Sequence, residues 1–377
     1  MRWAAGLHWG SQERERLRCF PPVRQRGQSR GAPPIDRLFG RIITLAFASA
    51  LSLMAGMGEL RAADQAPGNA ANIPVSVRFS WKLKGEYAPL YVALDKGYFS
   101  NEGLDVRLGE GAGSQAALAS LIRGDDQAVW LPGIFALQAI SKGMPLKLVA
   151  LYNPAAPILI ISWPDKPIRE PLDLEGRSIA TAVGETGTTF LPMLCEKNHV
   201  DCGKIKLVHM EIESRVPAFI AHQVDAVSVY RTNDMPILEA KFGESAFVQL
   251  DEAKWGGGVP GSSLIASDAY LAKNPEIVAK LVRAINRGME YSAKHPTEAA
   301  EIMLRHWSSS LSKEVVARQI EGLLGAMSKD NKPMGYMDRS VLTEALAALK
   351  AAQQVDSVRP VDDYYTDRIV EIATQRP

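Results

Sequence analysis

Cysteine is scarce in this chain. There are three in 377 residues, and only Cys195 and Cys202 lie beyond the N-terminal region. With His199 between them they lack the spacing of a structural zinc site. In an oxidising compartment they are candidates for a disulfide closing the loop Cys-Glu-Lys-Asn-His-Val-Asp-Cys; elsewhere they are two separate thiols. Histidine is nearly as rare, and His199, His209, His222, His295 and His306 form no cluster with carboxylates. Beyond residue 63 a Gly-x-Ser-x-Gly elbow, a His-Glu-x-x-His pair and a Gly-x-x-x-x-Gly-Lys-Ser/Thr loop are all missing, which speaks against hydrolytic, zinc-peptidase and nucleotide-hydrolysing chemistry. The expectation is therefore no catalytic residue, no metal and no cofactor.

Charge of one sign is also lacking. The net charge is +1, and 23% of residues are charged. Residues 1–41 hold nine Arg against three acids, leaving the rest mildly acidic. No basic stripe is present, so nucleic acid is not an expected partner. Long apolar runs are limited to Ile42–Met57, preceded by Arg37 and Arg41 and followed by Leu60-Arg61-Ala62-Ala63. That is the layout of a cleaved secretory signal, and it points to the periplasm. A membrane anchor is the alternative, but the run is short and rich in Ala, Ser and Gly. No Cys directly follows the run, against a lipid anchor. Residues 1–36 are too long and too rich in Arg and Pro for a signal's basic region, so 1–63 reads as a signal peptide with an upstream extension.

What remains is long enough for two domains, with an ordinary 46% hydrophobic content. The stretch Val77–Phe99 sets the pattern. Val75, Val77 and Phe79 alternate with polar neighbours as a strand should. A polar turn from Ser80 to Gly85 follows, then a helix with Pro89 in its first turn and Gly97 placed to stop it. Such β-α units repeat to about residue 160, resume from Leu172 and give way after Asn274 to helices around 297–307, 313–327, 338–352 and 363–373. The expected fold is α/β with two lobes, 74–160 and 161–258, each a mostly parallel sheet flanked by helices. Residues 259–377 return to the first lobe and add the helical C-terminal region. A chain crossing twice between lobes makes a hinge over a cleft.

Candidate ligand residues are those at strand ends, where open α/β sheets bind ligands. Trp81, Tyr87, Tyr230 and Trp255 offer rings for a planar ligand, as does Trp130. The turn after the first strand adds Lys82 and Glu86. The glycine run 109–113 is aligned poorly for a dinucleotide fingerprint, having no acidic residue about 20 positions on. It reads better as a turn opening a helix at Gly113, Ser114 and Gln115, with Ser114 as the cap. Gly133 opens the next helix. Thr186, Thr188 and Thr189 at a helix N-terminus suit a carboxylate, sulfonate or phosphate, or else simply cap it. Arg231 pairs either an anionic ligand or one of Asp234 and Glu86; Asn233 is an N-cap candidate.

The segment Tyr91-Val-Ala-Leu-Asp-Lys-Gly-Tyr-Phe-Ser-Asn-Glu-Gly-Leu-Asp-Val106 resembles the bacterial solute-binding proteins of ABC importers. The relatives in view take nitrate, taurine, alkanesulfonates and the pyrimidine precursor of thiamine. Pro171-Leu-Asp-Leu-Glu-Gly-Arg-Ser-Ile-Ala180 and Val224-Asp-Ala-Val227 resemble landmarks of the second lobe, so the likeness spans roughly 74–300. It implies a type II periplasmic-binding-protein fold, a monomer that closes on a small-molecule ligand, and a permease with its ATPase as partners. In the thiamine-precursor binders an Asp precedes the Trp, and Asn and His residues lead into the helix. Here those positions hold Ser80, Glu86 and Tyr87, and Lys84 replaces a further Asn, which leaves the ligand open among aromatic, heteroaromatic and anionic solutes. The related pyrimidine synthases are the competing enzyme reading, but their cysteine cluster is absent. Effector domains of transcription regulators share the fold, yet the N-terminus is signal-like where they carry a DNA-binding helix pair.

Overall fold

The computed structural model describes residues 72–327 and 331–375; the 1–63 segment read as a signal lies outside the described residues. The chain opens with β1 (Ile73–Phe79), a 3-10 turn at Gly85–Tyr87, α1 (Ala88–Asp95), α2 (Tyr98–Asn101), β2 (Leu104–Gly109), α3 (Ser114–Arg123), β3 (Ala128–Pro132), α4 (Gly133–Ser141) and β4 (Leu146–Leu151). Val75, Val77 and Phe79 are buried as their alternation predicts. Gly97 sits at φ 71 between α1 and α2, the left-handed conformation that favours glycine.

A second series runs β5 (Ile158–Ser162), β6 (Ser178–Thr181), α5 (Thr186–Asn198), β7 (Lys206–His209), α6 (Arg215–Ile220), β8 (Ala226–Tyr230), α7 (Asp234–Phe242) and β9 (Val248–Asp251). Then β10 (Ser262–Ser267) leads into α8 (Asp268–Lys273), α9 (Pro275–Lys294), α10 (Pro296–His306), α11 (Lys313–Gly325), α12 (Arg339–Ala351) and α13 (Arg368–Thr374).

Two five-stranded sheets result, ordered β2-β1-β3-β10-β4 and β7-β6-β8-β5-β9. Their likeness is close. In each, the fourth strand of the order is antiparallel to both neighbours, and the other characterised pairs run parallel. The antiparallel strands are β5 and β10, the two that arrive directly from the other sheet. The mostly parallel expectation thus holds, with one reversed strand per sheet where the chain crosses. The crossing segments between β4 and β5 and between β9 and β10 are held together by Ala156 N–H on Val259 C=O (2.6 Å) and Gly261 N–H on Asn153 C=O (2.9 Å).

The C-terminal helices cover the first sheet because their apolar stripes match it. In α9, Val278, Leu281, Val282, Ile285 and Met289 share one buried face. Gly288 lets α9 approach α1 closely, since a Cβ there would meet Pro89 C=O at 2.2 Å. Cys195 and Cys202 are joined in a disulfide, Cα–Cα 5.8 Å, tying the end of α5 to the turn before β7. No helix among the described residues is long and apolar enough to cross a membrane.

Candidate functional site

A cavity of about 420 Å³ lies between the two sheets, within the range of ordinary ligand sites. Its walls come from the chain at and just past the carboxyl ends of strands: Ser80–Lys84, Glu86 and Tyr87 after β1, Pro132 ending β3, Gly184–Thr186 after β6, the Ile212–Val216 region after β7, Tyr230 ending β8, and Thr232 and Asp234 after it. Asn153, Pro157, Gly261 and Ser262 of the crossing segments close the back.

The first-sheet wall is a turn braced from behind. Gly113 N–H donates to Ser80 C=O (2.8 Å) and Gly111 N–H to Trp81 C=O (3.0 Å). Gly111 must be glycine, because a Cβ would lie 1.9 Å from Phe79 C=O. Glu110 accepts from Leu83 N–H (2.9 Å) and Lys82 Nζ (3.3 Å). The glycine run therefore shapes the turn and leaves Gly113 and Gln115 outside the cavity lining. Ser114 does line it, but it is the first residue of α3, and the cap position belongs to Gly113 with no side-chain bond. Trp81 is half-buried on the wall. Tyr87 is buried and lies parallel to Phe79 with ring centroids 4.1 Å apart, so one of its faces is already taken. Burial, then the neighbouring Glu86 charge, pushes its phenol well above the usual range, keeping it protonated. Trp130 is buried against Tyr152 at 4.8 Å.

The second-sheet wall holds a buried ion pair. Glu185 Oε1 accepts from Gly187 N–H (2.8 Å), and Oε2 accepts from Thr188 N–H (2.9 Å) and from the Thr188 hydroxyl. The N-terminus of α5 is thus capped by the chain's own carboxylate. Thr188 also meets Thr181, and Thr189 turns its hydroxyl to Glu185 C=O. Neither reaches the lining, and their bonds are those of the capping alternative. Thr186 does line the cavity and accepts from the Tyr230 hydroxyl (2.9 Å). Burial holds that phenol well above its usual range despite this bond. Lys84 Nζ stands 5.5 Å from the Tyr230 ring centre.

Arg215 starts α6, is 7% exposed, and places Nη1 on Ser228 C=O (2.8 Å) and 3.9 Å from Glu185 Oε1. Its Nε and the Ser228 hydroxyl have no hydrogen-bond partner among the described residues. Arg215, Glu185 and Ser228 all line the cavity, and none was singled out from the sequence. The signal for Arg215 is weak: it opens α6 six residues past the end of β7, farther from its strand than Trp81 is from β1.

Four other candidates lie elsewhere. Arg231 pairs with Asp251 (2.8 Å), not with a cavity group, Asp234 or Glu86. Asp234 accepts instead from Tyr230 N–H (2.7 Å). Gly133 is wedged under β10, where a Cβ would meet Ser263 Oγ at 2.7 Å, so its role is packing. Trp255 lies in the short turn Glu252–Trp255, partly exposed, with its carbonyl taken by Asn198 (2.8 Å). Asn233 joins the two walls: its side-chain N–H₂ donates to Glu86, and its carbonyl accepts from Gln319 (2.8 Å). No group of three or more metal-ligating side chains is assembled among the described residues.

The arrangement can hold a flat, mainly apolar molecule with a few hydrogen-bonding groups at its edge. Known proteins give this geometry a context. The chain is 24% identical over 302 residues to the formylaminopyrimidine-binding protein of Halalkalibacterium halodurans, covering 78% of this chain and 89% of that protein. It is 24% identical over 306 residues to the riboflavin-binding protein RibY of Chloroflexus aurantiacus, covering 78% and 86%. Among solved structures, the alkanesulfonate-binding protein SsuA of Xanthomonas axonopodis pv. citri shares the fold with a TM-score of 0.62, at 16% identity, over 79% of this chain and 100% of that one. Residues 84–299, more than half of the chain, match the family described as NMT1/THI5 like, and the chain belongs to that family.

Proposed function

We propose that this chain is the solute-binding component of an ABC importer: it captures a planar aromatic or heteroaromatic solute by closure about the two crossing segments and presents it to a permease and its ATPase. The observation that carries this reading is the cavity between two sheets, formed at strand ends and closed behind by both crossings. The two relatives with ring-shaped ligands in their names support the solute class. Trp81 provides the exposed ring face, Tyr230, Tyr87 and Trp130 provide flanking rings, and Ser80, Ser114, Thr186 and Arg215 provide edge contacts. The lobes are 74–160 with 259–377, and 161–258; residues 1–63 direct export to the periplasm and are removed. The mature chain works as a monomer, without a cofactor.

A thermal-unfolding panel of heteroaromatics and organic acids tests the reading. A true ligand at 100-fold its dissociation constant adds about 2.7 kcal/mol of apparent stability. A panel in which no aromatic or heteroaromatic compound raises the unfolding temperature in a saturable way contradicts it.

A further inference from the structure

We propose that Glu185 is a built-in anion of the cleft: its carboxylate fills the N-terminus of α5 and neutralises Arg215, so that the site selects an uncharged heteroaromatic solute and excludes carboxylates and sulfonates. The solute class rests on the binding-protein reading above; the charge of the site does not.

The first observation is occupancy. A helix N-terminus is a ready anion site because its amide N–H groups lack partners. In α5, thirteen residues long, the amides of Gly187 and Thr188 and the hydroxyl of Thr188 already converge on Glu185. Ser228 packs over this turn, so closely that a Cβ on Gly187 would lie 2.0 Å from its Oγ.

The second observation is the unspent donor. Arg215 is more than nine-tenths buried and lines the same cavity. An unpaired buried guanidinium would draw an anion. Here Glu185 stands 3.9 Å away, so the pair is neutral and a ligand anion would meet Glu185's charge in a poorly solvated place. What Arg215 still lacks is a hydrogen bond at Nε, and Ser228 Oγ lacks one beside it. A carbonyl oxygen or ring nitrogen satisfies such donors without bringing charge. The remaining cations of the wall do not restore an anion site. Lys82 is exposed and paired with Glu110, and Lys84 sits over Tyr230 in a lining that also carries Glu86 and Asp234.

The test is binding of formate, benzoate and benzenesulfonate to the mature chain and to Glu185→Gly and Glu185→Gln, read by unfolding temperature and tryptophan fluorescence against a chloride control. The wild type should show no saturable response to any of the three. Glu185→Gly should be stabilised saturably by formate, which replaces the missing carboxylate at the α5 amides. Glu185→Gln keeps an acceptor for those amides but frees the Arg215 charge, so it should bind benzenesulfonate at least roughly tenfold more tightly than the wild type. If Glu185→Gly does not fold, the Gln variant decides alone. Saturable anion binding by the wild type, or no gain in the Gln variant, overturns the proposal. Chemical turnover of a heteroaromatic probe would instead count against the importer reading and leave the anion result standing.

Discussion

Asn233, just beyond β8, donates its side-chain amide to the carboxylate of Glu86 in the turn after β1. Gln319 of α11 completes the link, accepting from Gly85 N–H (3.1 Å) and donating to Asn233 C=O (2.8 Å). A C-terminal helix thus pins the rim of one sheet's wall to the rim of the other's.

Gln319→Leu should loosen that rim. It leaves the Gly85 N–H and the Asn233 C=O buried without partners, each costing about 1–3 kcal/mol. Small-angle scattering should show a larger radius of gyration in the unliganded variant, with a lower urea midpoint. An unchanged profile would mean that α11 does not hold the walls together.

Trp81→Ala should weaken ligand binding by about 1–3 kcal/mol, the worth of one large side chain leaving a contact. Arg231→Ala should leave affinity unchanged, because its guanidinium is engaged with Asp251 away from the cavity. Isothermal titration of both variants separates the roles; a large loss in the Arg231 variant would return that residue to the site.

Glu252 gives a pH signature. Burial first, then the charges of Glu185 and Asp251, pushes its carboxyl well above the usual range. An unfolded Glu ionises near about 4.3, so the folded state binds the extra proton above that pH. Stability is complete below the unfolded value and falls as pH rises toward the folded one. Glu252→Gln should therefore match the wild type near about pH 4 and exceed it near about pH 7 in urea midpoint. Parallel curves for the two proteins would show that the carboxyl is not held protonated.

Asp225 has the opposite sign. Burial alone would raise its carboxyl, but Lys166 (2.9 Å) and the Ser178 amide (2.9 Å) and hydroxyl (2.7 Å) hold it down to about 2. Its stabilisation is present above the ordinary Asp value and disappears as pH falls through about 2. Asp225→Asn should cost about 1–2 kcal/mol at neutral pH, with the gap to the wild type closing in acid. A gap that persists unchanged into acid would assign the loss to packing.

The fold was legible where periodicity and punctuation agree. The β1–turn–α1 unit, the Gly97 stop and the apolar stripe of α9 are all local patterns, and the structure forms them. The reversed direction of β5 and β10 is set by where the chain crosses, which no local pattern records. In the site, the strand-end rule found Trp81, Tyr87, Ser114, Thr186 and Tyr230 among the lining residues. It missed Arg215, which follows the short edge strand β7 and belongs to no motif. Glu185 stood in plain view in Gly-Glu-Thr-Gly-Thr-Thr, but its task depends on the backbone amides that follow it. The partner of Arg231 was hidden for a similar reason: Asp251 is twenty residues away and is brought near by the pairing of β9 with β5.

Native mass spectrometry of the purified protein with riboflavin and with formylaminopyrimidine tests the central claim most directly. A solute-binding protein should form a saturable 1:1 complex with an uncharged heteroaromatic and release it with its mass unaltered. Conversion of the probe to a product, or no complex with either compound or any related uncharged ring system, contradicts the account.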